Sequence, residues 1–96
     1  MVRPKHFRRI GFSPEVTYFK PRGVPMRALE EVDITLDELE AIRLKYLNGN
    51  NNEQSAKEMK ISDSTFQRLT ASALKKLADG LINGKAIKLH NSINIT

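Results

Sequence analysis

From Thr35 onward, apolar residues recur at steps of three and four: Leu36, Leu39, Ile42 and Tyr46, with Leu47 extending the stripe. That spacing predicts a helix with one buried face. Thr35 opens it and Glu38 follows three residues on, the pattern of a capping box in which each residue satisfies the other's backbone N–H. Asn48-Gly49 stops it near Leu47. A short second helix is predicted from about Asn52 to Met59, capped by Asn51 or Asn52. A third begins at Ser62 as N-cap, with Phe66, Leu69, Ala73, Leu74 and Leu77 as its buried stripe. Asn83-Gly84 is also a hairpin signal, but the favoured reading is that the helix runs to Asn83 and Gly84 closes it in the left-handed conformation.

The ends follow a different pattern. The N-terminal stretch carries Pro4, Pro14, Pro21 and Pro25, with a β-branched and aromatic cluster at Val16–Phe19. Proline stops a helix and pushes the residue before it toward extended angles. Residues 1–34 therefore read as an extended basic arm with one short strand at Val16–Lys20. Residues 35–84 read as a helical domain, and residues 85–96 as a short strand at Ala86–Leu89 and a frayed tail. The expected fold class is mainly α: a three-helix core with an extended N-terminal arm and one or two short strands.

The junction between the second and third helices has the demands of a helix-turn-helix. Such a motif needs a small residue where the helices cross, a turn residue tolerant of positive φ, a buried turn residue, and apolar anchors on the second helix. Ala56, Lys60, Ile61, and the pair Phe66 and Leu69 fill those places in one register. Lys60 stands where glycine is usual, and a left-handed Lys60 costs on the order of 1 kcal/mol.

Fixing the apolar side of the third helix also fixes its exposed N-terminal end, which carries Asp63, Ser64, Thr65, Gln67 and Arg68. In this motif that end enters the major groove. Gln suits adenine and Arg suits guanine, each through two contacts on the base edge, whereas Ser and Thr suit bases or phosphates. Asp63 reads as a first-turn acid that stabilises the helix. Lys75 and Lys76 lie too far along for bases and suit phosphates. The arm offers Arg3, Lys5, His6, Arg8 and Arg9, either for the minor groove or the backbone or as a disordered basic tail that adds only non-specific attraction.

Composition agrees with this picture. The chain has 96 residues and a net charge of +5, enough for one modest core and biased toward a polyanionic partner. Residues 1–27 carry +6, residues 28–58 carry −5 and residues 59–96 carry +4. The acidic middle reads either as a solvated helical face or as the side turned away from a nucleic-acid surface shared by the two ends. With no cysteine, disulfides and Cys-ligated zinc are excluded. No apolar run approaches the roughly 18 residues that span a bilayer, so no membrane partner is expected and the chain reads as cytoplasmic, on the nucleoid when bound to DNA. His6 and His90 have no metal-spaced partner, and no phosphate loop or nucleophile elbow is present. Capping and the helix dipole account for Asp37, Glu38 and Glu40. The chain is expected to be no enzyme and to need no cofactor or metal.

The stretches "RRIGFSPEVTYFKPRGVP", "ITLDELEAIRL" and "NGKAIKL" together resemble a prokaryotic family known as domain of unknown function 134. The resemblance covers roughly Arg3 to Leu89. It implies a predicted DNA-binding protein. "EQSAKEMKISDSTFQRLTASALKKL" also resembles region four of bacterial sigma factors, a DNA-reading helix-turn-helix. That similarity implies Ser64, Gln67 and Arg68 as base readers. Lys60 departs from the pattern, and Phe7 stands where relatives often have Cys, which removes any metal or redox role for that position here.

The expected function is sequence-specific binding of double-stranded DNA in transcriptional regulation. A homodimer and a contact with RNA polymerase stay open as further partners. The alternatives are an RNA-binding module, against which the 6% aromatic content argues, and a protein-interaction adaptor of the transcription machinery.

Overall fold

The computed structural model describes residues 9–11 and 17–90. The elements run β1 (Tyr18–Phe19), β2 (Glu31–Thr35), α1 (Leu36–Ile42), a π-helical segment (Arg43–Leu47), α2 (Asn52–Met59), α3 (Asp63–Ile82) and β3 (Ala86–His90). A one-turn 3-10 helix at Met26–Ala28 lies between β1 and β2. The chain is mainly helical with a three-stranded sheet in the order β1-β3-β2. The predicted tail after His90 lies outside the described residues.

β3 is central. β1 pairs with it antiparallel, Phe19 opposite Ile87, and β2 pairs with it parallel, Ile34 opposite Leu89. Parallel neighbours cannot be joined by a hairpin and need a long crossover. Here the whole helical unit from α1 to α3 is that crossover. β2 is a strand beyond the one or two expected, inside the stretch read as arm. Its residues alternate, with Val32 and Ile34 buried and Glu31 and Asp33 exposed, as a half-buried strand requires.

Each helix boundary has a chemical cause. The capping box of α1 forms, with the Thr35 N–H donating to Glu38 Oε1 at 3.0 Å. Asp37 joins it, accepting from the Thr35 hydroxyl and, at 3.0 Å, from the Glu38 N–H. Asn51 caps α2 by accepting from the Gln54 N–H at 2.7 Å. Ser62 caps α3 by accepting from the Thr65 N–H at 3.2 Å. α3 ends at Ile82; Asn83 is its cap, Gly84 is left-handed at φ 65°, and the Lys85 N–H returns to the Gly80 carbonyl at 2.9 Å.

The core has two parts. Ala41, Leu44, Ala56, Met59, Phe66 and Leu69 pack where the three helices meet, with Ile10 and Ile61 against them. Ile34, Ile87 and Leu89 pack between sheet and helices, with Leu39 and Leu77. α3 approaches β3 closely at Gly80, where an added Cβ would meet Ile87 Cγ1 at 2.7 Å.

Two predicted stripes are corrected. Tyr46 and Leu47 are exposed rather than buried, and so is Leu74. The buried residues of α1 are instead Asp37, Glu38, Glu40 and Ala41, with Leu44 following in the π-helical segment. Spacing that counts apolar residues alone cannot see this face, because three of its members are carboxylates. The π-helical segment then widens the last turn, with the Asn48 N–H reaching back five residues to the Arg43 carbonyl at 3.0 Å. A wider turn rotates Tyr46 and Leu47 off an α-helical stripe. On α3, Thr70 takes the buried place that Leu74 was expected to fill, and its hydroxyl donates to the Gln67 carbonyl at 2.9 Å.

The acidic middle divides: Glu30, Glu31, Asp33, Glu53 and Glu58 are exposed, as a solvated face requires, and the other three acids are not. Asp37, Glu38 and Glu40 are all buried. Glu40 holds Arg43 through two contacts, 2.6 Å to Nε and 3.0 Å to Nη2, and accepts the Gly11 N–H at 2.9 Å. Glu38 ties α1 to α3 through Lys76.

Candidate nucleic-acid interface

α2 and α3 are joined by three residues, Lys60, Ile61 and Ser62. Lys60 is left-handed, φ 60° and ψ 45°, alone among the described non-glycine residues. This conformation lets both the Lys60 and Ile61 N–H groups reach the Ala56 carbonyl, satisfying an orphan acceptor at the end of α2. Ile61 turns inward onto the core, Ala56 is fully buried at the crossing, and Phe66 and Leu69 lock α3 against α2. The first two turns of α3 are thereby held outward.

Ser64, Gln67 and Arg68 are exposed on those turns. At 100° per residue, Ser64, Arg68 and Lys75 fall on one line of the helix, opposite Phe66 and Ala73. Gln67 lies beside that line. Lys75 is exposed and stands about 16 Å along the axis from Ser64. Thr65 is half-buried and engaged internally. Its hydroxyl accepts from Ser62 Oγ at 2.9 Å and from Arg68 Nη2 at 3.4 Å. Thr65 therefore orients Arg68 as much as it faces outward.

The arm residues divide. Arg3, Lys5 and Arg8 lie outside the described residues. Arg9 is exposed, and its N–H donates to the Met59 carbonyl at 3.3 Å. Ile10 packs into the core beside it, and the Gly11 N–H meets Glu40. The chain entering from the arm is thus fastened one residue from the turn. This places the backbone of Arg9 at the end of α2, next to the residue that precedes Lys60. Lys60 is also exposed, a cation at the turn that sequence reasoning weighed only for its backbone conformation. Its signal was present: a basic residue between a small helix residue and an N-cap serine.

Lys76 is placed differently from Lys75. Its Nζ donates to Glu38 Oε1 at 2.8 Å, and Ser72 Oγ donates to the other Glu38 oxygen. Burial alone would raise the Glu38 carboxyl, but the hydrogen bonds from Lys76, Ser72 and the Thr35 N–H outweigh it and hold Glu38 below its ordinary 4.5. Lys76 is a structural cation, which leaves Lys75 as the exposed member of the pair. Among the described residues, no group of three His, Asp or Glu is placed to hold a metal ion. No described helix is long and apolar enough to cross a membrane.

The family model described as protein of unknown function DUF134 matches residues 1–92. A UPF0251 protein of Caldanaerobacter subterraneus is 53% identical over 89 residues, which are 93% of this chain and 75% of the relative. One from Halothermothrix orenii is 47% identical over 88 residues, 92% of this chain and 65% of the relative. One from Dehalococcoides mccartyi is 46% identical over 93 residues, 97% of this chain and 80% of the relative. No solved structure matches the chain.

Proposed function

Starting from the fact that the chain belongs to the DUF134 family, we propose that it binds double-stranded DNA sequence-specifically and acts as a transcriptional regulator. The observation that carries this is the exposed polar face of the first two turns of α3, held outward by the left-handed turn at Lys60. In this reading α2–turn–α3 is a helix-turn-helix of the sigma region-four kind, and α3 enters the major groove. Arg68 and Gln67 read base edges, and Ser64 contacts a base or a phosphate. Thr65 steers Arg68. Lys75 and Lys60 contact phosphates on either side, and Arg9 leads the basic arm with Arg3, Lys5 and Arg8 along the backbone. DNA-bound protein then sits on the nucleoid in the cytoplasm. The reading requires neither catalysis nor a cofactor.

The test compares Arg68→Ala and Lys75→Ala on a preferred duplex and on random duplex. Arg68→Ala is expected to weaken the preferred duplex by about 1–3 kcal/mol and the random one by less. Lys75→Ala is expected to weaken both equally and to reduce the salt slope by about one unit. An adaptor that docks on RNA polymerase would show no nucleic-acid effect in either variant, and an RNA-binding module would prefer single strands.

A further inference from the structure

One large surface is left over by the proposed function, and it is apolar. Leu47 is 81% exposed, Leu81 75%, Tyr46 54% and Leu74 43%. They border two adjoining grooves of about 450 and 530 Å³. One groove lies between Tyr46, Leu47 and Leu74, and the other runs beside Leu81; Leu39, Ile42 and Leu77 line both. Among the described residues, the one charged residue lining them is Arg43, which is engaged with Glu40. A large exposed side chain presents on the order of 200 Å², so these four residues and Phe19 amount to roughly 600 Å² per chain. That stands at the upper end of the roughly 300–600 Å² of the largest apolar patch on a monomer, a size that is often functional.

We propose that this face pairs with the same face of a second copy of the chain, about a two-fold axis passing beside Leu77. Two such faces bury on the order of 1,200 Å², the lower bound of a stable specific interface. The face is also self-complementary. Leu74 and Leu81 are seven residues apart and lie on one line of α3, on either side of the groove at Leu77. In an antiparallel pair, Leu74 of one copy meets Leu81 of the other.

The DNA geometry of this dimer rests on the proposed function; the pairing does not. The Leu74–Leu81 line lies about a quarter-turn round α3 from the line of Ser64, Arg68 and Lys75. A two-fold axis pointing toward the DNA therefore presents both reading faces on the same side. Gln67 is ten residues from Leu77, about 15 Å, so the two copies of Gln67 stand about 30 Å apart along the helices. A sideways offset of about 10 Å between packed helices brings the separation close to the ~34 Å of one DNA turn. The expected site is a palindrome with half-site centres about 10 base pairs apart.

The experiment is sedimentation velocity on the full chain without DNA at tens of micromolar. The wild type is expected at twice the chain mass of 10.9 kDa. Leu81→Glu and Leu47→Glu, both at exposed positions, are expected to sediment as single chains with an unchanged circular-dichroism spectrum. Ile82→Glu changes a residue just as exposed, 80%, that borders a different groove with Lys75 and Asp79, and it is expected to stay paired. A wild type that sediments as a single chain, as it would if this face served another protein, overturns the proposal. So does pairing that survives both Leu81→Glu and Leu47→Glu. A dimer that these two changes dissociate, but that binds no duplex, upholds the pairing and overturns the DNA reading instead.

Discussion

Lys76 Nζ lies 2.8 Å from Glu38 Oε1, and this pair fastens the middle of α3 to the first turn of α1 across 38 residues of sequence. Glu38 is fully buried and Lys76 about one-third exposed. Through Thr35 the same carboxylate caps α1, so one side chain sets both where α1 begins and how α3 lies against it. The orientation of the exposed face of α3 follows from that contact.

Acid should therefore loosen the fold through Glu38. Its folded carboxyl lies below the ordinary 4.5, so its contribution is fully present above that value and is lost as pH falls through the lower folded one. Asp79, lowered by hydrogen bonds from Asn83 and then Lys85, adds to the same acid limb. Glu38→Gln is expected to cost about 1–3 kcal/mol at neutral pH, less than a fully buried pair because Lys76 is partly solvated. It should also flatten the stability profile below the ordinary carboxylate range. Urea denaturation of both proteins across that range checks it; parallel profiles would contradict the assignment.

Lys60→Gly should separate backbone from charge. Glycine accepts the left-handed turn without a Cβ penalty, so a gain of about 0.5–1 kcal/mol in stability is expected. The same change removes a phosphate contact in the proposed interface, so duplex affinity should fall and its salt slope should drop by about one unit. Thermal unfolding and a salt titration of binding read the two effects independently.

Ser55 offers a test of the core. It is fully buried in α2, and among the described residues its hydroxyl has no hydrogen-bond partner. Ser55→Ala removes that cost and improves helix propensity, and is expected to stabilise the protein by about 1 kcal/mol. A loss of stability in chemical denaturation would mean that the hydroxyl is satisfied after all.

What the sequence disclosed, it disclosed through local chemistry. The caps at Thr35, Asn51 and Ser62, the left-handed Gly84 and the register of Ala56, Lys60, Ile61 and Phe66 are all set by neighbours within a few residues. They stand in the structure as the spacing implies. The failures involve distant partners. β2 alternates plainly as Glu31-Val32-Asp33-Ile34-Thr35, but its acids disfavour strands, and only pairing with β3, more than 50 residues away, makes it one. Asp37 and Glu38 sit on a core face because Thr35, Ser72 and Lys76 satisfy them, which no apolar periodicity signals. Tyr46 and Leu47 keep helical spacing in the sequence, but the π-helical turn carries them off the core face, and Leu74 is exposed beside them. For the interface, the exposed α3 residues were legible from the opposite apolar stripe. The anchoring of Arg9 through Ile10 and Met59 was not, since nothing local joins residue 10 to α2.

Whether α3 reads sequence is tested most directly by selection of bound duplexes from a random pool at low and at raised salt. A sequence-reading α3 yields an enriched motif that survives the higher salt, because base-edge contacts persist when phosphate contacts weaken. Binding with no enriched motif, vanishing as salt rises, would contradict it and leave only a basic surface with electrostatic affinity.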